Sequence, residues 1–276
     1  MAAAAILFGV AGCGSTTNTS SSTNVAAADC TPDKMQTQTS GELTVATDKP
    51  AYPPYFEDND PTNGKGFESA TAYAIANQLG YARSDVKWVT EPFNSSYAPG
   101  PKDFDFDVNQ ISITPVRAEH VDFSAPYYTA NQAVIATKGS SAASAQSLAD
   151  LKDTTIGVQL GTTSLDAVNS EIQPSTQPKV FNDSNDVVTA LKESQVDAVV
   201  TDLPTALYIT AAQVPDATVV GQFPAPGGDE WGALLEKGSP LTGCISNAID
   251  DLRSSGGLQK IENRWMSQAA DAPTLK

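Results

Sequence analysis

Short apolar runs alternate with amphipathic helical stretches along most of this chain, and that alternation restricts the folds open to it. Leu43 and Val45 alternate with polar neighbours, as a half-buried strand does. From Phe67 to Gly80, residues Ala72, Ile75, Ala76 and Leu79 share one helical face, and Gly80 suits a helix C-terminus. Val86–Val89, Asp105–Ile113 and Gln132–Thr137 read as further strands. A second stretch repeats the grammar. It has a strand at Thr155–Gln159, a Gly161-Thr162-Thr163-Ser164 turn into a helix, and a short strand at Val180-Phe181. An amphipathic helix over Asn185–Glu193, a buried strand at Val196–Val200 and a helix over Leu203–Ala212 follow. Helices at Leu241–Arg253 and Gly257–Met266 end the pattern. Strands and helices in this order predict an α/β fold with mainly parallel sheets.

The 276 residues allow one large domain or two medium ones, and 40% hydrophobic content is enough for real cores. A formal charge of −16 repels phosphate backbones, so no nucleic-acid partner is expected. The acidic residues are scattered and fit a solvated surface. His120 is the only histidine, and no Ser-His-Asp set, HExxH pair or Cys-His pair can be built around it. No EF-hand-like loop appears, so neither a metal nor a cofactor is implied. The chain is expected not to be an enzyme.

The N-terminus carries an export signal. Ala2–Val10 is too short to span a bilayer and fits the apolar region of a signal peptide over residues 1–12. Ala11-Gly12-Cys13 resembles the lipobox of bacterial lipoproteins, which implies cleavage before Cys13, its acylation, and anchoring to the outer side of the membrane. Residues 13–40 read as a Ser/Thr/Asn-rich flexible tether, with the folded body starting near Gly41. Cys30 and Cys244 remain, and an even pair in an exported chain points to a disulfide, the alternative being two free thiols.

Four segments place polar groups just beyond predicted strands, where open α/β sheets bind ligands. They are Ala46-Thr47-Asp48, Ser112-Ile113-Thr114-Pro115-Val116-Arg117, Gly161-Thr162-Thr163-Ser164 and Val200-Thr201-Asp202. Gln110 to Arg117, followed by Val121-Asp122-Phe123-Ser124-Ala125-Pro126-Tyr127-Tyr128, resembles the signature of the polar amino-acid-binding proteins of ABC importers, family 3 of the extracellular solute-binding proteins. Thr47-Asp48 with Tyr52-Pro53-Pro54-Tyr55 resembles their first strand and aromatic loop. Gly161-Thr162-Thr163 and Val196 to Asp202 match the two motifs of their second lobe, in order. The resemblance covers roughly residues 41 to 270.

The resemblance implies a two-lobed, type II periplasmic-binding-protein-like fold with two hinge strands and a ligand cleft between the lobes. Lobe 1 is expected over 41–134 and 223–276 and lobe 2 over 135–222, with hinges near Ala133–Thr137 and Val219–Phe223. The disulfide would then lie within lobe 1. The implied function is capture of a free L-amino acid, polar or basic, and delivery to an ABC permease by a monomer. Two alternatives use the same fold, a dehydratase of the prephenate or arogenate type and a ligand-sensing partner of a membrane receptor.

The chemistry of the residues fits that function. Arg117 offers a planar fork for a carboxylate, with Ser112 and Thr114 adding donors. Gly161, Thr162 and Thr163 open a helix, where free N–H groups favour an anion. Asp202 supplies a counter-charge for an ammonium. Asp48 and Tyr52 border the side-chain end, with Tyr52 placed like the family's aromatic. Each has a plainer role open to it. Arg117 could pair with Glu119 or Asp122, Asp202 could cap the helix at Leu203, and Asp48 could sit in a turn. Tyr52, Tyr55 and Phe93 could be packing. Glu68 stands where the family usually has Asp, and the stretch from Glu91 to Lys102 departs from the family pattern.

Overall fold

The computed structural model describes residues 1, 29–266 and 272–276, so the leader, Cys13 and its expected lipidation lie outside the described residues. Ten strands occur in the described chain. The first four are β1 (Leu43–Thr47), β2 (Val86–Thr90), β3 (Phe106–Asp107) and β4 (Val121–Thr129). They are followed by β5 (Gln132–Thr137), β6 (Ile156–Gln159), β7 (Lys179–Phe181), β8 (Ala198–Asp202), β9 (Ala217–Phe223) and β10 (Glu230–Glu236). They form two five-stranded sheets, β2-β1-β3-β10-β4 and β7-β6-β8-β5-β9, each the centre of one lobe. In the first, β1 is parallel to β2 and β3, and β10 runs antiparallel to β3 and β4. In the second, β6 is parallel to β7 and β8, and β5 is antiparallel to β8 and β9.

Helices cover both sheets. In lobe 1, α1 (Phe67–Gln78), α2 (Phe93–Ser96) and α3 (Pro115–Ala118) lie between strands. In lobe 2, α4 (Thr163–Ala167), α5 (Ser184–Lys192) and α6 (Leu203–Tyr208) do the same, and α7 (Thr242–Ser254) and α8 (Gly257–Trp265) return to lobe 1. Apolar spacing decides which faces turn inward. Val187, Val188 and Leu191 of α5 are buried, as are Ile245, Ala248, Ile249 and Leu252 of α7. Gly66 opens α1 at φ +96°, where a Cβ would lie 2.3 Å from the Tyr55 carbonyl oxygen, so only glycine fits.

Three boundaries differ from the sequence reading. The body starts before Gly41. Cys30 is bonded to Cys244 in α7, Met35 is buried, and the Gln38 amide donates to Asp105 Oδ1 at 2.8 Å. A polar segment is thus held by one covalent bond and one buried acid, and the tether excludes residues 30–40. The disulfide joins two parts of lobe 1 that lie 214 residues apart in sequence; chain entropy sets its stabilising effect at no more than about 5 kcal/mol.

The second lobe takes in all of β5 and β9, so the residues read as hinges are a paired strand couple inside its sheet. The chain crosses between lobes at residues 130–131 and 224–229. The C-terminal end also belongs to lobe 2. Leu275 is buried against Gly221, and Gln222 exchanges backbone hydrogen bonds with Pro273 and Leu275.

The strand expected over Asp105–Ile113 shrinks to β3, because Gln110 sits at φ +49° and breaks the extension. Asp107 in β3 is 0% exposed and neither carboxyl oxygen has a hydrogen-bond partner. Burial, then the nearby Glu68 charge, push its carboxyl well above the usual range. An unpaired buried polar group costs about 1–3 kcal/mol. Asp107→Val should therefore stabilise the protein by about that amount, read from urea unfolding at pH 7; an unchanged or lower midpoint would contradict it.

Candidate ligand-binding site

A cavity of 410 Å³ lies between the lobes at the carboxyl ends of β1 and β8, within the range of small-molecule sites. The lobes meet around it. Tyr55 OH and Thr205 Oγ1 are 2.8 Å apart, Ser112 Oγ and Thr163 Oγ1 are 3.2 Å apart, and the Tyr52 hydroxyl donates to Asn185.

Arg117 is held from several sides. Thr114 precedes α3 in extended conformation, and its hydroxyl accepts the Arg117 backbone N–H at 3.2 Å. Pro115 in the first helical turn fixes the entry. The guanidinium, in a residue only 7% exposed, donates from Nη1 to the Ser112 carbonyl (2.7 Å) and from Nη2 to the Gly161 carbonyl in lobe 2 (2.9 Å). Its carbon lies 4.7 Å from the Tyr97 ring centre and 5.4 Å from that of Phe93. Guanidinium has five donors, so three remain for an incoming carboxylate. Neither Glu119 nor Asp122 pairs with it; Asp122 pairs with Lys237 at 3.2 Å.

Asp202 ends β8 at the start of α6 but does not cap that helix with its side chain. Its Oδ1 instead accepts from Gln132 Nε2 at 2.7 Å. Burial, and next the Asp229 carboxylate, raise its carboxyl well above the usual range. Asp229 escaped the sequence reading because it lies in an irregular Pro/Gly-rich stretch with no periodicity to mark it. It accepts from Gln132 Nε2 (2.6 Å) and from Thr163 Oγ1 (3.1 Å).

At the far end Asp48, just past β1, accepts the backbone N–H groups of Lys49 (2.6 Å) and Phe93 (3.2 Å). Tyr52 lies 6.2 Å, ring to ring, from Tyr208 of lobe 2.

Of the expected site residues, Asp48, Tyr52, Ser112, Arg117, Thr162, Thr163 and Asp202 line the cavity. Thr114 and Gly161 are not among its lining residues. The Thr114 hydroxyl accepts the Arg117 backbone N–H at the start of α3. Gly161, at φ +74°, receives Arg117 on its carbonyl, and a Cβ there would lie 2.3 Å from the Tyr97 hydroxyl. Both hold Arg117 in place.

The family model described as bacterial extracellular solute-binding proteins, family 3, matches residues 43–268. The chain belongs to this family. Among curated relatives, the arginine-binding extracellular protein ArtP of Bacillus subtilis (strain 168) is 30% identical over 77% of this chain and 82% of its own length. The L-cystine-binding protein TcyJ of Escherichia coli (strain K12) is 27% identical over 78% of this chain and 79% of its own length. Among solved structures, an ancestral arginine-binding protein bound to glutamine superposes with a TM-score of 0.69, at 33% identity over 82% of this chain and 97% of that one. The ancestral amino acid-binding protein AncCDT-1, a precursor of cyclohexadienyl dehydratase, gives 0.66 at 31% identity over 82% and 95%.

In this family 3 solute-binding protein, Glu68 of α1 shapes the cavity floor without touching the cavity. It accepts the Gln110 backbone N–H (2.7 Å), the Gln110 side-chain amide and the Tyr127 hydroxyl (2.5 Å). That holds Gln110 in its left-handed conformation at the cavity wall. Burial raises the Glu68 carboxyl from 4.5 to about 7, against the lowering effect of those donors. Between those values the folded state keeps a proton that the unfolded state has lost. The group's stabilising contribution is therefore full below pH 4.5 and declines as pH rises through about 7. The shift corresponds to about 3 kcal/mol. Glu68→Gln should flatten the fall in melting temperature between pH 5 and 8. Parallel wild-type and variant curves would contradict this.

Proposed function

We propose that this protein captures a free L-amino acid outside the cell membrane and passes it to an ABC importer, with no chemical change. The observation that carries the reading is the charge arrangement of one cavity between the lobes. A buried arginine with unused donors stands on lobe 1, and a half-buried acid, Asp202, with no salt-bridge partner among the described residues, stands on lobe 2. An α-amino acid supplies a carboxylate and an ammonium on one carbon, so it satisfies both at once. A ligand that touches both lobes favours the closed state, because only that state makes both sets of contacts.

The side chain is proposed to be cationic, with arginine first. Asp48, Asp183 and the rings of Tyr52 and Phe93 line the cavity. An acid flanked by aromatic faces suits a guanidinium or ammonium group. ArtP, named as arginine-binding, supports the choice. An anchor at Cys13 and action as a monomer complete the proposal, on the strength of the Ala11-Gly12-Cys13 motif and a cavity built within one chain.

Calorimetry on refolded, ligand-free protein with each of the twenty amino acids tests the reading. L-Arginine should bind, and prephenate incubated with the protein should not turn over. No heat with any amino acid, or conversion of prephenate, would overturn it.

Arg117→Ala leaves a charged ligand group unpaired in a dry site, at a cost of about 3–5 kcal/mol. Affinity should fall at least about a hundredfold whichever amino acid binds. Asp48→Asn should instead reduce the preference for arginine over glutamine; an equal loss for both would remove its role in specificity.

A further inference from the structure

Two carboxylates, Asp202 half-buried and Asp229 fully buried, meet where the lobes join, and the described residues supply no cation for the second. The amide nitrogen of Gln132, at the start of β5, donates to Asp202 Oδ1 at 2.7 Å and to Asp229 Oδ2 at 2.6 Å. Oxygens that share one donor are neighbours, so the two acids are crowded. Asp229 is 0% exposed, and its Oδ1 has no hydrogen-bond partner. The residue is fixed at the hinge, because its carbonyl accepts the Ala130 N–H at 2.8 Å and so ties the second crossing to the first. Thr163, which lines the cavity from lobe 2, donates its hydroxyl to Asp229 Oδ2 at 3.1 Å.

The groups facing the pair are Arg117 from α3, Tyr55 from the loop after β1 and Tyr128 from β4. Burial keeps both tyrosines protonated. Arg117 is occupied with two carbonyls and, under the proposed function, with the ligand carboxylate. Neither acid belongs to an ion pair among the described residues.

The charges then fail to balance for a ligand with one ammonium. Arg117 answers the carboxylate, one acid answers the ammonium, and one acid is left. A neighbouring carboxylate and partial burial both favour the protonated form of Asp202. We infer that Asp229, which stands behind Asp202 and outside the cavity lining, keeps a proton on Asp202 in the unliganded protein, and that Asp202 releases this proton to solvent when the ligand's ammonium enters. The inference rests on the amino-acid reading of the cavity. Thr163 reports closure to the pair, since its hydroxyl reaches Asp229 only with lobe 2 in place.

Burial and the Asp229 charge act on the Asp202 carboxyl in the direction required. The proton and the ammonium compete for the same oxygens. Acid therefore weakens binding, and affinity rises with pH by at most tenfold per unit for one proton. Asp229→Asn removes the crowding while an amide oxygen can still accept from Gln132 and Thr163. Asp202 then stays anionic, and binding becomes weaker at high pH and nearly independent of pH.

The test is calorimetry of L-arginine and L-glutamine, which share the same α-ammonium, in phosphate and in Tris at pH 6, 7 and 8. Buffers of different ionisation enthalpy separate protons released from heat of binding. The wild type should release a fraction of a proton up to one, in a pH-dependent way, and Asp229→Asn should release essentially none. Binding of either ligand by wild-type protein with the same heat in both buffers at every pH would overturn the inference and leave the amino-acid reading intact. The same release from a folded Asp229→Asn would also overturn it. Absence of binding by both ligands removes the inference together with the reading on which it rests.

Discussion

The guanidinium of Arg117 is the interaction on which the rest of the cleft depends. It is buried, yet its charge survives because carbonyls, aromatic faces and acids surround it. Each neighbour exists for local reasons. Thr114 and Pro115 start α3 and so place the side chain, and Tyr97 packs over Gly161. Gly161 alone can bring its carbonyl close enough to be shared across the lobes. A buried arginine with unused donors is an unfinished arrangement, and a carboxylate completes it.

On the opposite side the same logic runs with the sign reversed. Asp202 is the expected partner of an ammonium, but the hinge adds Asp229 beside it. Gln132 spends both amide hydrogens on the two acids, which fixes the first residue of β5 to the second crossing. Recognition and lobe geometry thus share residues, so charge at the site and closure of the cleft are coupled. The disulfide in lobe 1 and the C-terminal end on lobe 2 leave that coupling to the hinge.

Much of this was legible in the sequence because the signals are local. Strands β1, β6 and β8 are apolar runs ending in polar residues, and α5 and α7 carry clear apolar faces. Seven of the nine expected site residues line the cavity, Asp48 and Asp202 because strand ends place them there and the others through the loops and helix starts that follow. What was hidden depends on contacts between distant residues. Residues 30–40 look like a linker by composition, and contacts with residues far along the chain, Cys244, Asp105 and Lys102 among them, hold them. Asp229 and Gln132 meet Asp202 through the hinge, far apart in sequence. Glu68 works through Gln110, whose left-handed backbone no apolar periodicity can announce. Thr114 and Gly161 also hold Arg117 through their acceptor oxygens, which the motif alone does not announce.

The central claim is that one amino acid bridges Arg117 and the Asp202 side of the cleft. A crystal structure of the protein loaded with L-arginine addresses it directly. The α-carboxylate should lie within hydrogen-bond distance of Arg117, the α-ammonium within that distance of Asp202, and the side chain should extend toward Asp48 and Tyr52. A ligand seated with its carboxylate away from Arg117, or bound outside this cavity, would contradict the claim.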